Sequence, residues 1–145
     1  MKSQLAALTA VAVCMALWVA GCTKAKQYTT DVNALPAVAQ KTVADNYSAQ
    51  KVAQIKIESD EYEITFTDGT MLEFNRSGAI KEVEPAPGDT VPSSLLPAAI
   101  NDYLRANYSG QRVIKYDSGH KDDEVKVSSG IELKFDKQGK FLRID

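Results

Sequence analysis

The residues best equipped for chemistry lie in one short stretch, Ser118-Gly119-His120-Lys121-Asp122-Asp123-Glu124, with Asp117 just before it. His120 is the only histidine among 145 residues. An imidazole takes a proton near neutral pH, but as a general base it needs an oriented nucleophile within hydrogen-bonding reach. The hydroxyls of Ser118 and Ser128 are nearest in sequence, and neither sits in a Gly-x-Ser-x-Gly elbow. Asp117, Asp122, Asp123 and Glu124 offer the hard oxygens that calcium takes, without the alternate-residue spacing and central glycine of a helix-flanked calcium loop. Short polar segments containing glycine are what a solvated hairpin turn requires, so the stretch reads as solubilising charge around an exposed turn, with no metal site. Glu63 and Glu73 are spaced to face each other across neighbouring strands, as the two carboxylates of a glycosidase do, but no sugar-stacking aromatic stands beside them. The expectation is a chain that is not an enzyme and carries no cofactor.

These side chains are placed by a duplication. Sliding the sequence on itself by 61 positions aligns residues 35–84 with 96–145 without a gap, and thirteen positions are identical. Asn46-Tyr47-Ser48 and Asn107-Tyr108-Ser109 are the clearest pair, and a gapless match of this length is the signature of a repeated unit. Each unit opens with a helix signature: Asn33 or Ser94 as a cap, a proline in the first turn, then apolar residues at steps of three and four. The stripes are Leu35, Val38, Ala39, Thr42, Val43 and Tyr47, and Leu96, Ala99, Ile100, Tyr103, Leu104 and Tyr108. The period then falls to two, the strand signal, over residues 52–58, 62–67, 71–75 and 79–84, and over 113–118, 123–128, 131–136 and 140–144. Connections this short join antiparallel neighbours, with turns at Gly69, Gly130, Gly78 and Gly139.

Alternation assigns the faces. Ile55, Ile57, Ile64, Phe66, Leu72 and Phe74 point to the helix, as do Ile114, Tyr116, Val125, Val127, Leu133 and Phe135. Glu63, Thr65, Glu73, Glu124, Lys126, Glu132 and Lys134 point away, with Gln54, Lys56, Lys115 and Asp117 among others, giving one oily and one wet face. In the fourth strand Ile80 and Val83 differ in parity, as do Phe141 and Ile144, so a bulge is expected there and the exposed member of Phe141 and Leu142 stays open. The fold class is α+β, two tandem units of a helix and four antiparallel strands, with both helices on one face of a sheet that either runs through both units or breaks between them.

The segment before the repeats sets location. Residues 1–21 carry one early charge, Lys2, and an apolar run from Leu5 to Ala20, the form of a secretory signal. Val19-Ala20-Gly21-Cys22 resembles a bacterial lipobox, which implies lipid on Cys22 and an anchor in the membrane. Cys14 would leave with the signal, so Cys22 could form no internal disulfide and no cysteine-based zinc site. Residues 22–33 are polar and read as a tether; 34–84 form the first repeat, 85–93 a Pro-rich linker and 94–145 the second repeat. Thr23 stands where enteric lipoproteins place an inner-membrane Asp, which points to the periplasmic side of the outer membrane. Without Lys2 the 17 Lys and Arg become 16 against 19 Asp and Glu, and a mildly acidic chain without a basic stripe is a poor match to nucleic acid.

Taken together, the lipoprotein-like signal and the tandem order Leu-Pro-Ala, helix, Asn-Tyr, Val, strand, Asp-Gly or Ser-Gly, Leu-x-Phe and a late Gly resemble the PepSY-like, β-lactamase-inhibitor-like family of envelope proteins, over residues 35–145. That resemblance implies helices behind an antiparallel sheet whose open, concave face grips a partner in the inhibitor proteins, and it implies no catalytic activity. Here the open face alternates Glu, Lys, Thr and Ser where a tight interface carries aromatic anchors. The expected function is a lipid-anchored periplasmic binding module that presents this face to an envelope protein or peptide, in the inhibitor manner. The alternative is an envelope sensor or small-ligand protein using the groove between repeats, lined where the repeat is broken, as at Tyr62 against Asp123 or Met71 against Glu132.

Overall fold

The computed structural model describes residues 25–145. The stretch read as a signal and Cys22, the expected lipidation site, lie outside the described residues, as does the start of the expected tether. Among the described residues nine strands and two α-helices follow in chain order: β1 (Gln27–Thr29), α1 (Ala37–Tyr47), β2 (Val52–Ile57), β3 (Glu61–Phe66), β4 (Met71–Asn75), β5 (Ile80–Glu84), α2 (Ala98–Asn107), β6 (Val113–Ser118), β7 (Asp122–Val127), β8 (Glu132–Asp136) and β9 (Phe141–Ile144). The strands form one antiparallel sheet in sequence order.

The sheet does not break between the repeats. β5 and β6 pair directly, Glu82 against Asp117 and Val83 against Tyr116, so the linker and α2 arch over one continuous surface. Val83 and Tyr116 are both buried, and Gly78 and Gly139 lie beneath α1 and α2. Both helices therefore pack on the same side of the sheet, above one core in which Ile64, Leu72, Phe74, Val125, Leu133 and Phe135 have no exposed surface. The two glycines explain how close the helices come. A Cβ on Gly78 would stand 2.9 Å from the Ala39 nitrogen, and one on Gly139 would stand 2.7 Å from the Ala99 Cβ. Their positive φ of 88° and 81° is a second reason for glycine.

Several details depart from the alternation pattern. Asn33 and Ser94 do not cap the helices; they lie in short 3-10 turns, and Pro36 and Pro97 occupy the cap positions without a side-chain bond. Gln40 and Asn101, 61 positions apart, instead reach back from the helices to close those turns, Gln40 Nε2 donating to the Leu35 carbonyl at 2.8 Å and Asn101 Nδ2 to that of Ser93 at 2.8 Å. Val38 leaves the expected stripe and is 58% exposed, because Ala39, Val43 and Tyr47 already face the sheet. Residues 27–33, assigned to the tether, supply β1 and the start of a 3-10 turn that ends at Ala34; β1 pairs Tyr28 with Lys56 and Thr29 with Ile55 and so satisfies backbone groups along the outer edge of β2.

Bulges recur at matching places. The fourth strand of each repeat carries the expected one, with Lys81 and Leu142 as the extra residues. Phe141 faces in, its ring 4.8 Å from that of Tyr103, and Leu142 faces out. A second pair, absent from the sequence reading, falls at Ala53 and Ile114. Ile114 is therefore not the inward residue expected of it: Val113 takes the buried position and Ile114 is only half-buried.

Candidate binding surface

The register sets one residue of β2 to β9 in a single row across the open face. Lys56 stands opposite Glu63, Glu63 opposite Glu73, Glu73 opposite Glu82, Glu82 opposite Asp117, Asp117 opposite Glu124, Glu124 opposite Lys134 and Lys134 opposite Arg143. Five adjacent carboxylates thus occupy the middle of the sheet, with cations at both ends. Like charges directly opposite on neighbouring strands repel, so such a row needs counter-charges from above and below.

Lysines supply them, Lys81 and Lys115 from flanking rows and Lys56 and Lys134 from the ends of the row itself. Lys81 bridges Glu61, at 2.8 Å, and Glu73; Lys115 bridges Glu82 and Glu84, at 2.7 Å each. Lys56 serves Glu58 at 3.0 Å and Glu63 at 3.7 Å, while Lys134 serves Glu124 at 3.3 Å and Asp145 at 3.0 Å. The hydrogen bonds that Lys81 donates to Glu61 and Glu73 raise its pKa. Burial works against the charge on Lys115, but the hydrogen bonds it donates to Glu82 and Glu84 outweigh this and its pKa also rises. At the β1 end, hydrogen bonds from Lys26 and Lys56 pull Glu58 down to about 2. Burial raises Glu82, and the Lys115 hydrogen bond lowers Glu84.

All seven residues expected on this face are on it. Glu63 and Glu73 do face each other, but with Lys56 and Lys81 at hand they are an ion-paired lattice rather than an acid and a nucleophile. Lys126 pairs with Glu132 at 2.6 Å, and Thr65 stands between Gln54 and Met71. Sequence reasoning missed Lys81 as a bridging cation, because the bulge turns it onto the wet face, and missed the joining of the two halves by Glu82, Lys115 and Asp117.

The stretch around His120 divides. His120 and Lys121 are exposed at a bend, as a solvated turn requires, whereas Asp117 and Asp122 are half-buried in the flanking strands β6 and β7. Asp123 contradicts that reading: it is 3% exposed and faces the core side opposite Phe135. Its carboxylate accepts from Ser118 Oγ at 3.0 Å and from Lys137 Nζ at 2.5 Å, and Lys137 also donates to the Gly119 carbonyl at 3.0 Å. The signal was present in the period, since Asp123 shares the parity of Val125 and Val127. Among the described residues no group of three or more His, Cys, Asp or Glu is arranged to hold a metal. Two open cavities lie away from the sheet face. One, of about 370 Å³, is lined by Ile57, Glu58, Tyr62 and Arg76; the other, of about 390 Å³, lies where Thr90–Ser93 of the linker meet Leu104, Tyr108 and Val113.

This geometry meets its match in a known family. Two stretches of the chain, residues 17–67 and 60–143, fit the profile of the family described as "Putative beta-lactamase-inhibitor-like, PepSY-like". The chain belongs to the PepSY-like family. Two regions of match agree with a tandem repeat. Among solved structures it is similar to a periplasmic protein of unknown function from Bacteroides vulgatus, with 36% identity, TM-score 0.76, and 83% of this chain and 99% of that one covered. A protein from Bacteroides thetaiotaomicron, described as a "putative calcium-regulated periplasmic protein", is 37% identical with TM-score 0.76, over 83% of this chain and 96% of that one. A second Bacteroides vulgatus periplasmic protein is 34% identical with TM-score 0.77, over 85% and 98%. No curated protein matches the chain. These three solved relatives are described as periplasmic proteins, no catalytic family is among the matches, and no described helix is long and apolar enough to cross a membrane.

Proposed function

We propose that the protein is a non-catalytic binding module, lipid-anchored through Cys22 on the periplasmic side of the outer membrane, that presents its open sheet face to an envelope protein or peptide. Each unit supplies a helix and four strands, and the helices stiffen the sheet from behind. The observation that carries this reading is the row from Lys56 to Arg143: five carboxylates in register over a continuous rigid surface form a patterned electrostatic face. Glu63, Thr65, Glu73, Glu124, Lys126, Glu132 and Lys134 make the contacts. A partner's cations replace the intramolecular lysines at the acidic centre, and its carboxylates meet Lys126 and Lys134. Inhibition of an enzyme is one use of such a grip.

The test is recovery of a partner from envelope extract by the wild-type chain and by the Lys126→Glu, Lys134→Glu double variant. Loss of recovery by a variant with an unchanged circular dichroism spectrum is expected. Equal recovery by both would remove the sheet face from the proposal.

The alternative, an envelope sensor or small-ligand protein, draws on the cavity of about 390 Å³ beside the linker, the opening that lies nearest the junction of the repeats. A thermal-shift screen that finds a stabilising small molecule, abolished by filling that cavity with Ser109→Trp, would favour it.

A further inference from the structure

The repeats show what covers a strand edge in this fold and where that cover is missing. The outer edge of β5 is covered by β6, Val83 against Tyr116 and Glu82 against Asp117. Shifted by 61 positions, Tyr116 and Asp117 become Ile55 and Lys56, and β1 pairs with these two residues. β1 thus takes on β2 the place that β5 takes on β6. β9 is the second copy of β5, and among the described residues no strand pairs with its outer edge.

The side chains register the missing neighbour. Val83 and Ile144 occupy equivalent positions, opposite Leu72 and Leu133 on the inner side. Val83 has no exposed surface, whereas Ile144 is 56% exposed and Leu142 beside it 47%. The strand carries Arg143 where β5 carries Glu82. Soluble proteins ordinarily blunt a free edge with charge, a bulge, proline or a covering segment; Arg143 and the bulge at Leu142 do so here in part, yet two exposed aliphatic residues still stand on the edge.

We propose that the outer edge of β9 accepts an extended segment of a partner polypeptide as a tenth antiparallel strand, with an apolar residue opposite Ile144 and an acidic residue opposite Arg143. Main-chain hydrogen bonds would hold the segment and the two side-chain positions would select it. A second copy of this chain fits less well. Head-to-tail continuation would bring β2 of the next copy to β9 in the place of β6, which sets Lys56 against Arg143 and requires β1 to leave. The sequence of β6 itself suits the edge better than its own site does. In the chain its Asp117 faces Glu82 and needs Lys115 to bridge Glu82 and Glu84, but against β9 the same carboxylate meets Arg143, whose partner within the chain is the solvated Asp145 at 2.7 Å.

A peptide with the sequence of residues 113–118, Val-Ile-Lys-Tyr-Asp-Ser, is therefore the probe. Isotope-labelled chain, purified as cells make it, is titrated with this peptide and followed by its backbone amide signals. Shifts and slowed amide exchange confined to Phe141–Ile144 are expected, with at least tenfold weaker binding to Ile144→Asp and to wild type when the peptide's Asp is Lys. Because Ile144 is exposed, Ile144→Asp keeps the wild-type spectrum elsewhere. No shift at β9 at millimolar peptide would overturn the proposal, as would shifts centred on β3 and β7 or equal affinity for the charge-reversed peptide. Slowed diffusion of the peptide-free chain, reversed by Ile144→Asp, would also overturn it, by making a second copy the occupant.

Discussion

Tyr47 and Tyr108 stand at the same place in the two repeats, but only Tyr47 is fully packed. Its ring stacks on Phe66 with centroids 5.3 Å apart, while the residue matching Phe66 is Val127, and Tyr108 turns toward Tyr103 at 6.3 Å, half-buried beside the linker cavity. The opposite end of each unit differs in the reverse sense. In the first, Arg76 donates to the Ser59 carbonyl at 2.6 Å and Tyr62 lines an open cavity; in the second, the matching Lys137 and Asp123 fill that space with an ion pair. Duplication kept the framework of glycines, Leu-x-Phe and Asn-Tyr and let each end be filled by different chemistry. The first repeat closes its helix end with aromatic packing, the second closes its turn end with charge.

Truncating the core is the strongest way to break this contrast. Phe66→Ala removes a buried ring and its stacking partner's support and should cost about 4 kcal/mol in denaturant unfolding. Val127→Ala at the matching position should cost only about 2 kcal/mol. Equal losses would show that the aromatic closure of the first repeat has no special weight.

Asp123→Ala comes next. It leaves Lys137 and Ser118 without their shared acceptor, and since Lys137 is partly solvated the expected cost is about 2 kcal/mol. Arg76→Ala, which removes one exposed bond in the first repeat, should cost less than about 1 kcal/mol by the same measurement.

A smaller and opposite effect is expected from Tyr47→Phe. The Tyr47 hydroxyl is buried with no hydrogen-bond partner among the described residues, so deleting it should stabilise the chain by about 1 kcal/mol. Burial, with the Asp68 charge adding to it, pushes the phenol from 10.0 up to about 12. The unfolded chain releases this proton near pH 10 and the folded chain holds it until about 12, so the contribution is full below pH 10 and falls away across that window. Alkaline titration of stability should show the fall in wild type and lose this component in Tyr47→Phe, with Tyr108→Phe leaving it in place. The smallest effect belongs to the open face: Lys126→Ala should change stability by less than about 1 kcal/mol, because its pair with Glu132 is solvated.

Much of this was legible in the residues. The 61-residue offset gave the repeat, the change of period at Val52 and Val113 gave the sheet, and parity placed Glu63, Thr65, Glu73, Glu124, Lys126, Glu132 and Lys134 on the wet face. What escaped notice has physical reasons. β1 has three residues and no apolar alternation, so only an available edge on β2 makes it a strand. At Val113-Ile114 two apolar residues stand together, and alternation cannot tell which is the bulge. Lys81 changes face because of a bulge in its own strand, and the row that joins the halves depends on the β5–β6 register, which no local pattern encodes. Asp123 was readable by parity, but an acidic residue inside a charged stretch reads as solvated until its partner Lys137, far along the chain, is placed beside it.

On the function proposed above, the sheet's open face, and not its helix side, meets the partner. Photo-crosslinking in intact cells tests it most directly, with a photoreactive residue placed at Thr65 or Lys126 on the face, or at Val38 or Arg105 on the exposed helix side. One envelope protein crosslinked from Thr65 and Lys126, and none from Val38 or Arg105, is expected. Crosslinks from the helix positions alone would contradict it.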